Sequence, residues 1–239
     1  TATHLLHAEL HRVLGEHARQ AGSLVAPDRL RFDFTHPEAV TAEQLADIEA
    51  GINRHVLGNF ALDIKVKPLQ QALKEGAMAL FGEKYGETVR TITIGDQAPF
   101  SYELCGGTHV DETGDIGLCL ITSEGSVAAG IRRIEAVTGR SAYALVQHRF
   151  HLLHKAAALL GVTAEQLPEK AEIVLEELSA VRKQVTVLRQ NLVSAEFNQV
   201  LDQAQSVGQV RVLTATLTEA DADTLRAMID RFRQRFPSL

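Results

Sequence analysis

The apolar residues Val174, Leu178, Val181, Val185, Leu188, Leu192 and Ala195 fall alternately four and three positions apart. That spacing keeps one stripe of a helix apolar along its length, the seam of a coiled coil or of a long helical hairpin. It commits the second part of the chain to helix. A further helix is predicted over Ala142 to Leu160, ending before Gly161, and could supply an antiparallel partner. The stripe either packs within the chain or joins copies of it.

Upstream of about Gly139 the pattern differs, with helices and strands alternating irregularly and glycine frequent. Leu5, Leu6, Leu10, Val13 and Leu14 lie on one helical stripe. Leu30-Arg31-Phe32-Asp33-Phe34 alternates apolar with charged side chains and reads as a strand, followed by the turn residues Thr35-His36-Pro37. Thr41-Ala42-Glu43-Gln44 matches a capping box that opens a helix running to about Leu57. Further strands are predicted at Leu62 to Val66, Val89 to Ile94, Gly117 to Thr122 and Arg132 to Val137, each rich in branched residues and flanked by turn signals. The first part is therefore an α+β domain with a mixed or antiparallel sheet.

Near the other end, Val210 to Leu217 reads as a strand and Asp221 to Phe236 as an amphipathic helix. One strand and one helix cannot enclose a core. The expected organisation is an α+β domain over residues 1–139, a helical linker or coiled coil over 140–207, and the start of another domain over 208–239. The chain is expected to be a piece of a longer polypeptide.

Composition excludes several classes. The sequence of 239 residues has no tryptophan and no apolar run of bilayer-spanning length, so no membrane role is expected. Its two cysteines, Cys105 and Cys119, make no disulfide framework and point to a reducing compartment, the cytoplasm by default. A net charge of −6 weighs weakly against a generic polyanion binder, although a local basic patch can still bind nucleic acid.

Chemistry concentrates in Glu103-Leu104-Cys105-Gly106-Gly107-Thr108-His109, where a thiol and an imidazole lie four positions apart around two glycines. Zinc takes sulfur and nitrogen ligands in a tetrahedral shell, and the glycines let the intervening backbone turn tightly and approach a substrate. One such pair is half a site. The other half should be histidine-rich, and the chain opens Thr1-Ala2-Thr3-His4-Leu5-Leu6-His7.

These motifs, together with Gly-Ser-Leu-Val, Leu-Arg-Phe-Asp-Phe, Gly76-Ala77-Met78-Ala79-Leu80-Phe81-Gly82-Glu83-Lys84-Tyr85 and Gly130-Ile131-Arg132-Arg133-Ile134-Glu135-Ala136-Val137-Thr138-Gly139, resemble alanyl-tRNA synthetase in order and spacing. Residues 1–139 resemble its editing domain, of the second-additional-domain type shared with threonyl-tRNA synthetases and with free-standing deacylases. The remainder resembles the helical linker and the start of the C-terminal domain.

The resemblance implies a zinc site in which His4, Cys105 and His109 correspond to three ligands. The family's fourth, a histidine, would fall one position before Thr1, so water or a missing metal is expected there. His7, one turn from His4, has no metal role in the family pattern. The resemblance also implies Thr3, Gln20 and Ser23 as pocket residues. Thr3 would hydrogen-bond the mischarged side chain or the attacking water; its ordinary alternative is a helix threonine. For Gln20 the plain reading is a solvent-facing residue, and for Ser23 a turn hydroxyl. Gly106 and Gly107 would approach the terminal adenosine or the amino acid, or simply form a tight turn. Arg132 and Arg133 point to opposite faces if on a strand, so only one can meet a substrate; Arg132 would contact phosphate, or else pair with a carboxylate.

The implied reaction is hydrolysis of the ester of tRNA(Ala) wrongly charged with serine or glycine, by direct attack of water, with the tRNA acceptor end as partner. Zinc would activate water or position the terminal ribose. The family's other activity, attaching alanine to tRNA(Ala) with ATP, would reside upstream. A homodimer through the helical or C-terminal region is a further expectation. The alternatives are a free-standing aminoacyl-tRNA deacylase and a noncatalytic tRNA-binding or dimerisation module.

Overall fold

The computed structural model describes residues 1–79, 84–95, 98–217 and 220–237. Helix α1 (Ala2–Leu14) leads into strands β1 (Gln20–Val25) and β2 (Leu30–Thr35), then helix α2 (Ala42–Gly58), strand β3 (Leu62–Pro68) and helix α3 (Leu69–Lys74). Strands β4 (Thr88–Ile94) and β5 (Ser101–Leu104) follow, then a 3-10 turn over Thr113–Ile116 and strands β6 (Cys119–Ala128) and β7 (Ile131–Thr138). Helices α4 (Gly139–Leu160) and α5 (Leu167–Leu201), strands β8 (Gln205–Val207) and β9 (Val210–Val212), and helix α6 (Ala222–Arg235) complete the order. The segment Leu80-Phe81-Gly82-Glu83 of the resemblance lies outside the described residues.

The architecture is α+β with antiparallel sheets. One sheet has the order β1-β2-β7-β6 and a second the order β3-β4-β5. Two compact units divide the chain, Thr1–Leu152 and Leu153–Leu239, with the boundary inside α4.

The core of the first unit follows from the alternation in β2, where Leu30, Phe32 and Phe34 are buried while Arg31 and Asp33 face away. Leu5, Leu6 and Leu10 of α1, Ile48, Ile52 and Val56 of α2, and Ile92 and Ile94 of β4 close over them. Each such side chain contributes about 1.5–3 kcal/mol on burial. The capping box forms at the start of α2: the Gln44 amide donates to Thr41 Oγ1 at 3.2 Å and the Thr41 amide to Gln44 Oε1 at 2.9 Å.

Two expectations change in the second unit. The heptad stripe does form part of one long helix, α5, but Leu178, Val181, Val185, Leu188 and Leu192 are exposed rather than packed, and so is Ala195. The residues of α5 that are buried are Val193, Phe197 and Leu201, against Met228 of α6. Their spacing of four brings a neighbouring stripe to the α6 contact. The strand predicted over Val210 to Leu217 shrinks to Val210–Val212, because β8 offers a partner over only three positions. Leu213 and Leu217 pack on the same small core without joining a ladder.

Among the described residues no helix is long and apolar enough to cross a membrane.

Candidate metal centre

Two elements distant in sequence meet at the centre. Helix α1 turns its His4 and His7 inward, where they are 6% and 2% exposed. Strand β5 ends at Leu104, and the next amide, Cys105 N–H, donates to the Arg90 carbonyl at 3.0 Å, so the pairing of β4 with β5 carries Cys105 to the helix. The loop then bends back on itself. The Gly107 amide donates to Cys105 Sγ at 3.4 Å, and the Arg90 guanidinium donates to the Gly107 carbonyl.

The result is a set of three donors: one atom each from His4, Cys105 and His109, all within 4.8 Å of one another. The His4 and His109 rings stand edge to face with centroids 4.8 Å apart. Nδ1 of His109 hydrogen-bonds Thr1 Oγ1 at 3.1 Å, and that hydroxyl also accepts from the Val110 amide at 3.2 Å. Nε2 of His109 is buried and has no hydrogen-bond partner among the described residues. Nδ1 of His4 lies 3.3 Å from Glu103 Oε2.

Burial lowers the pKa of His4, and pushes that of His109 down to about 3 with help from neighbouring positive charges including Arg90. Both rings are neutral at physiological pH, the form in which imidazole binds a metal. A soft sulfur, two neutral imidazoles and an orphaned buried nitrogen fit zinc.

A cleft of about 360 Å³ borders this cluster, lined by Thr3, Val25, Arg29, Thr108, His109 and Asp115 among others. Thr3 is thus next to the donor set. A second cavity of about 440 Å³ lies along the same helix, lined by His7, His11, Arg19, Gln20 and Met78 among others. Gln20 and Ser23 stand opposite Phe34 and Phe32 in the register of β1 with β2; Gln20 is half-buried, Ser23 is exposed and lines neither cavity, and the Gln20 side-chain amide donates to Ser23 Oγ at 3.2 Å. Gln20 therefore belongs to the second cavity and Thr3 to the first.

Gly106 and Gly107 are exposed, and neither has a positive φ. A Cβ at position 106 would meet nothing within 4 Å, and one at 107 only Cys105 Sγ at 3.4 Å. The backbone does not itself require glycine at either place. Arg132 and Arg133 diverge as the strand geometry demands: Arg132 grips Glu124 through Nε and Nη2 at 2.6 and 2.8 Å, and Arg133 grips Asp33 at 2.7 and 2.8 Å.

Glu103 sits in the same motif, but on the short strand Ser101-Tyr102-Glu103-Leu104 nothing in the sequence pattern marks it out. Cys119 is 1% exposed, in the core of the first unit.

A histidine-bearing helix laid across antiparallel sheets, with a Cys-x-x-x-His loop closing on it, defines an α+β module whose donor set could hold a metal ion. The family described as the threonyl and alanyl tRNA synthetase second additional domain is matched over residues 89–135, which hold β4, β5, the loop and most of β6 and β7. The similarity extends beyond that stretch. The alanine–tRNA ligase of Bordetella pertussis is 49% identical over 236 residues, covering 98% of this chain and 26% of the relative. That of Stenotrophomonas maltophilia is 48% identical over 235 residues, with the same shares. That of Nitrosomonas eutropha is 44% identical over 238 residues, 100% of this chain and 27% of the relative. The chain belongs to the alanyl-tRNA synthetase family, and spans about a quarter of the length of the curated relatives it matches.

Proposed function

We infer that this segment hydrolyses the aminoacyl ester of tRNA(Ala) wrongly charged with serine or glycine, as the editing part of an alanine–tRNA ligase that attaches alanine to the same tRNA with ATP. The observation that carries the reading is the cluster of His4, Cys105 and His109 beside a cleft that Thr3 lines. Bound zinc supplies Lewis-acid chemistry, polarising the ester carbonyl or acidifying a water, or fixes the terminal ribose. His4, Cys105 and His109 would hold the ion.

The chain's own residues then set selectivity. The Thr3 hydroxyl, at the cleft wall, hydrogen-bonds serine's hydroxyl or orients the water; with alanine in place it stays unpaired, which favours the seryl over the alanyl ester, while glycine, lacking the hydroxyl, gains nothing from this contact. Gln20, at the wall of the second cavity, and Ser23, hydrogen-bonded to it, offer further polar groups to the substrate. Gly106 and Gly107, which have room around them, let the backbone reach the terminal adenosine. Arg132 keeps N–H groups beyond those bound to Glu124, and these are what a phosphate would meet.

In this reading residues 1–139 edit, 140–207 form the helical linker, and 208–239 begin another domain. The partner is the acceptor end of tRNA(Ala), the compartment is the cytoplasm, and the exposed stripe of α5 joins two copies of the chain. The test compares seryl-, glycyl- and alanyl-tRNA(Ala) as substrates for zinc-loaded protein, using this chain and one extended upstream to take in the family's further histidine. Serine and glycine released faster than alanine support the reading. Equal rates for all three esters, or none above the spontaneous rate in the zinc-loaded extended chain, would refute it.

A further inference from the structure

Glu103 is the last polar residue of β5, and it is 5% exposed. An ionised carboxylate so placed costs several kcal/mol unless its lone pairs are taken up. Among the described residues no lysine or arginine pairs with it. Instead His7 Nδ1 hydrogen-bonds Oε1 at 3.2 Å and Ser101 Oγ donates to Oε1 at 3.4 Å, while Oε2 lies 3.3 Å from His4 Nδ1, a close approach that does not have hydrogen-bond geometry. One carboxylate thus faces the same nitrogen of two histidines on consecutive turns of α1.

A carboxylate at Nδ1 keeps the proton on that nitrogen, frees the Nε2 lone pair, and fixes the ring's orientation. We propose that Glu103 is a positioning residue of the metal centre: anchored by His7 and Ser101, it holds His4 in the tautomer and orientation that present Nε2 alongside Cys105 and His109. This rests on the metal reading of the cluster proposed above. It also gives His7 a role. His7 is not a ligand; its Nδ1 fixes one carboxylate oxygen so that the other is available to His4, which accounts for an imidazole only 2% exposed.

The test measures zinc affinity by competition with a chromogenic chelator, and the visible absorption of the cobalt-substituted protein, for the full chain and three variants whose fold is checked by circular dichroism. Glu103→Gln is expected to weaken zinc about 10–100-fold and to alter the cobalt spectrum. His7→Gln, which removes the donor at Nδ1, is expected to weaken zinc by a smaller factor. His7→Asn, whose amide nitrogen falls where Nδ1 was, is expected to restore the affinity. A purely structural carboxylate would lower the melting temperature of the metal-free protein and leave affinity and spectrum alone. A folded Glu103→Gln chain that binds zinc within about twofold of the unaltered protein with the same spectrum overturns the proposal. Should Glu103→Gln not fold, equal affinities for His7→Gln and His7→Asn overturn it. The comparison is made in the chain extended upstream to take in the family's further histidine; failure of that unaltered chain to take up zinc would appear before any variant is compared, and would remove the metal reading itself.

Discussion

Glu9 occupies the space that a side chain at Gly51 would need: a Cβ at position 51 would fall 1.9 Å from Glu9 Oε2. Helices α1 and α2 meet through this contact, and the carboxylate there accepts from Arg12 Nε at 2.6 Å and pairs with His55 Nε2 at 2.8 Å. The His55 ring in turn stacks on Phe100 with centroids 3.8 Å apart. Gly51→Ala must push Glu9 out of this arrangement. The expected cost is about 1–3 kcal/mol, the range for overpacking, read from urea unfolding of the two proteins.

The same carboxylate sets a pH dependence. Burial pushes Glu9 up, but the hydrogen bonds from His55 and Arg12 outweigh it and hold the carboxyl below its ordinary value of 4.5. The folded state therefore binds fewer protons than the unfolded state in that range. The stabilisation is complete above pH 4.5 and is lost as pH falls through the folded value. Glu9→Gln should be less stable than the unaltered chain at pH 7, and the gap should narrow as pH drops below 4.5. Urea unfolding of both proteins from pH 7 to pH 3 checks this, and a gap that does not change with pH contradicts it.

The two cysteines should react very differently. Burial, with Glu49 nearby, pushes the Cys119 thiol up to about 12, whereas Cys105 is only partly buried. A thiol reagent at pH 8 is expected to modify one sulfur in the native chain and none in Cys105→Ser, until denaturant releases Cys119. Zinc should slow modification of Cys105. Mass spectrometry of the labelled protein locates the adduct.

The exposed stripe of α5 makes a prediction about assembly. Leu188 and Leu192 are 66% and 62% exposed on a helix of 35 residues. If the stripe joins two copies, sedimentation should show a monomer–dimer equilibrium that Leu188→Glu shifts wholly to monomer. A chain monomeric at all concentrations would contradict it.

Sequence patterns were most informative where the physics is local. The alternation in β2, the Thr41 capping box and the heptad stripe each depend on neighbours a few positions apart, and each marks the element it belongs to. Strand β1 was not foreseen, because an edge strand with Gln20, Gly22 and Ser23 has no apolar alternation and exists through its ladder to β2. The heptad stripe identified a helix but not its partner, since periodicity says which side is apolar and not what covers it. At the centre, Cys105 and His109 were legible from their spacing. Glu103 was not, because its meaning depends on β5 meeting α1 across 96 positions of sequence.

The account stands or falls on whether the donor set of His4, Cys105 and His109 supports ester hydrolysis. The most direct measurement is a time course of seryl-tRNA(Ala) hydrolysis by zinc-loaded protein, extended upstream to include the family's further histidine, beside its Cys105→Ala variant. The prediction is release of serine by the first and only the spontaneous rate with the second. Equal hydrolysis by a folded Cys105→Ala protein, or an intact ester in the presence of stoichiometrically bound zinc, would contradict it.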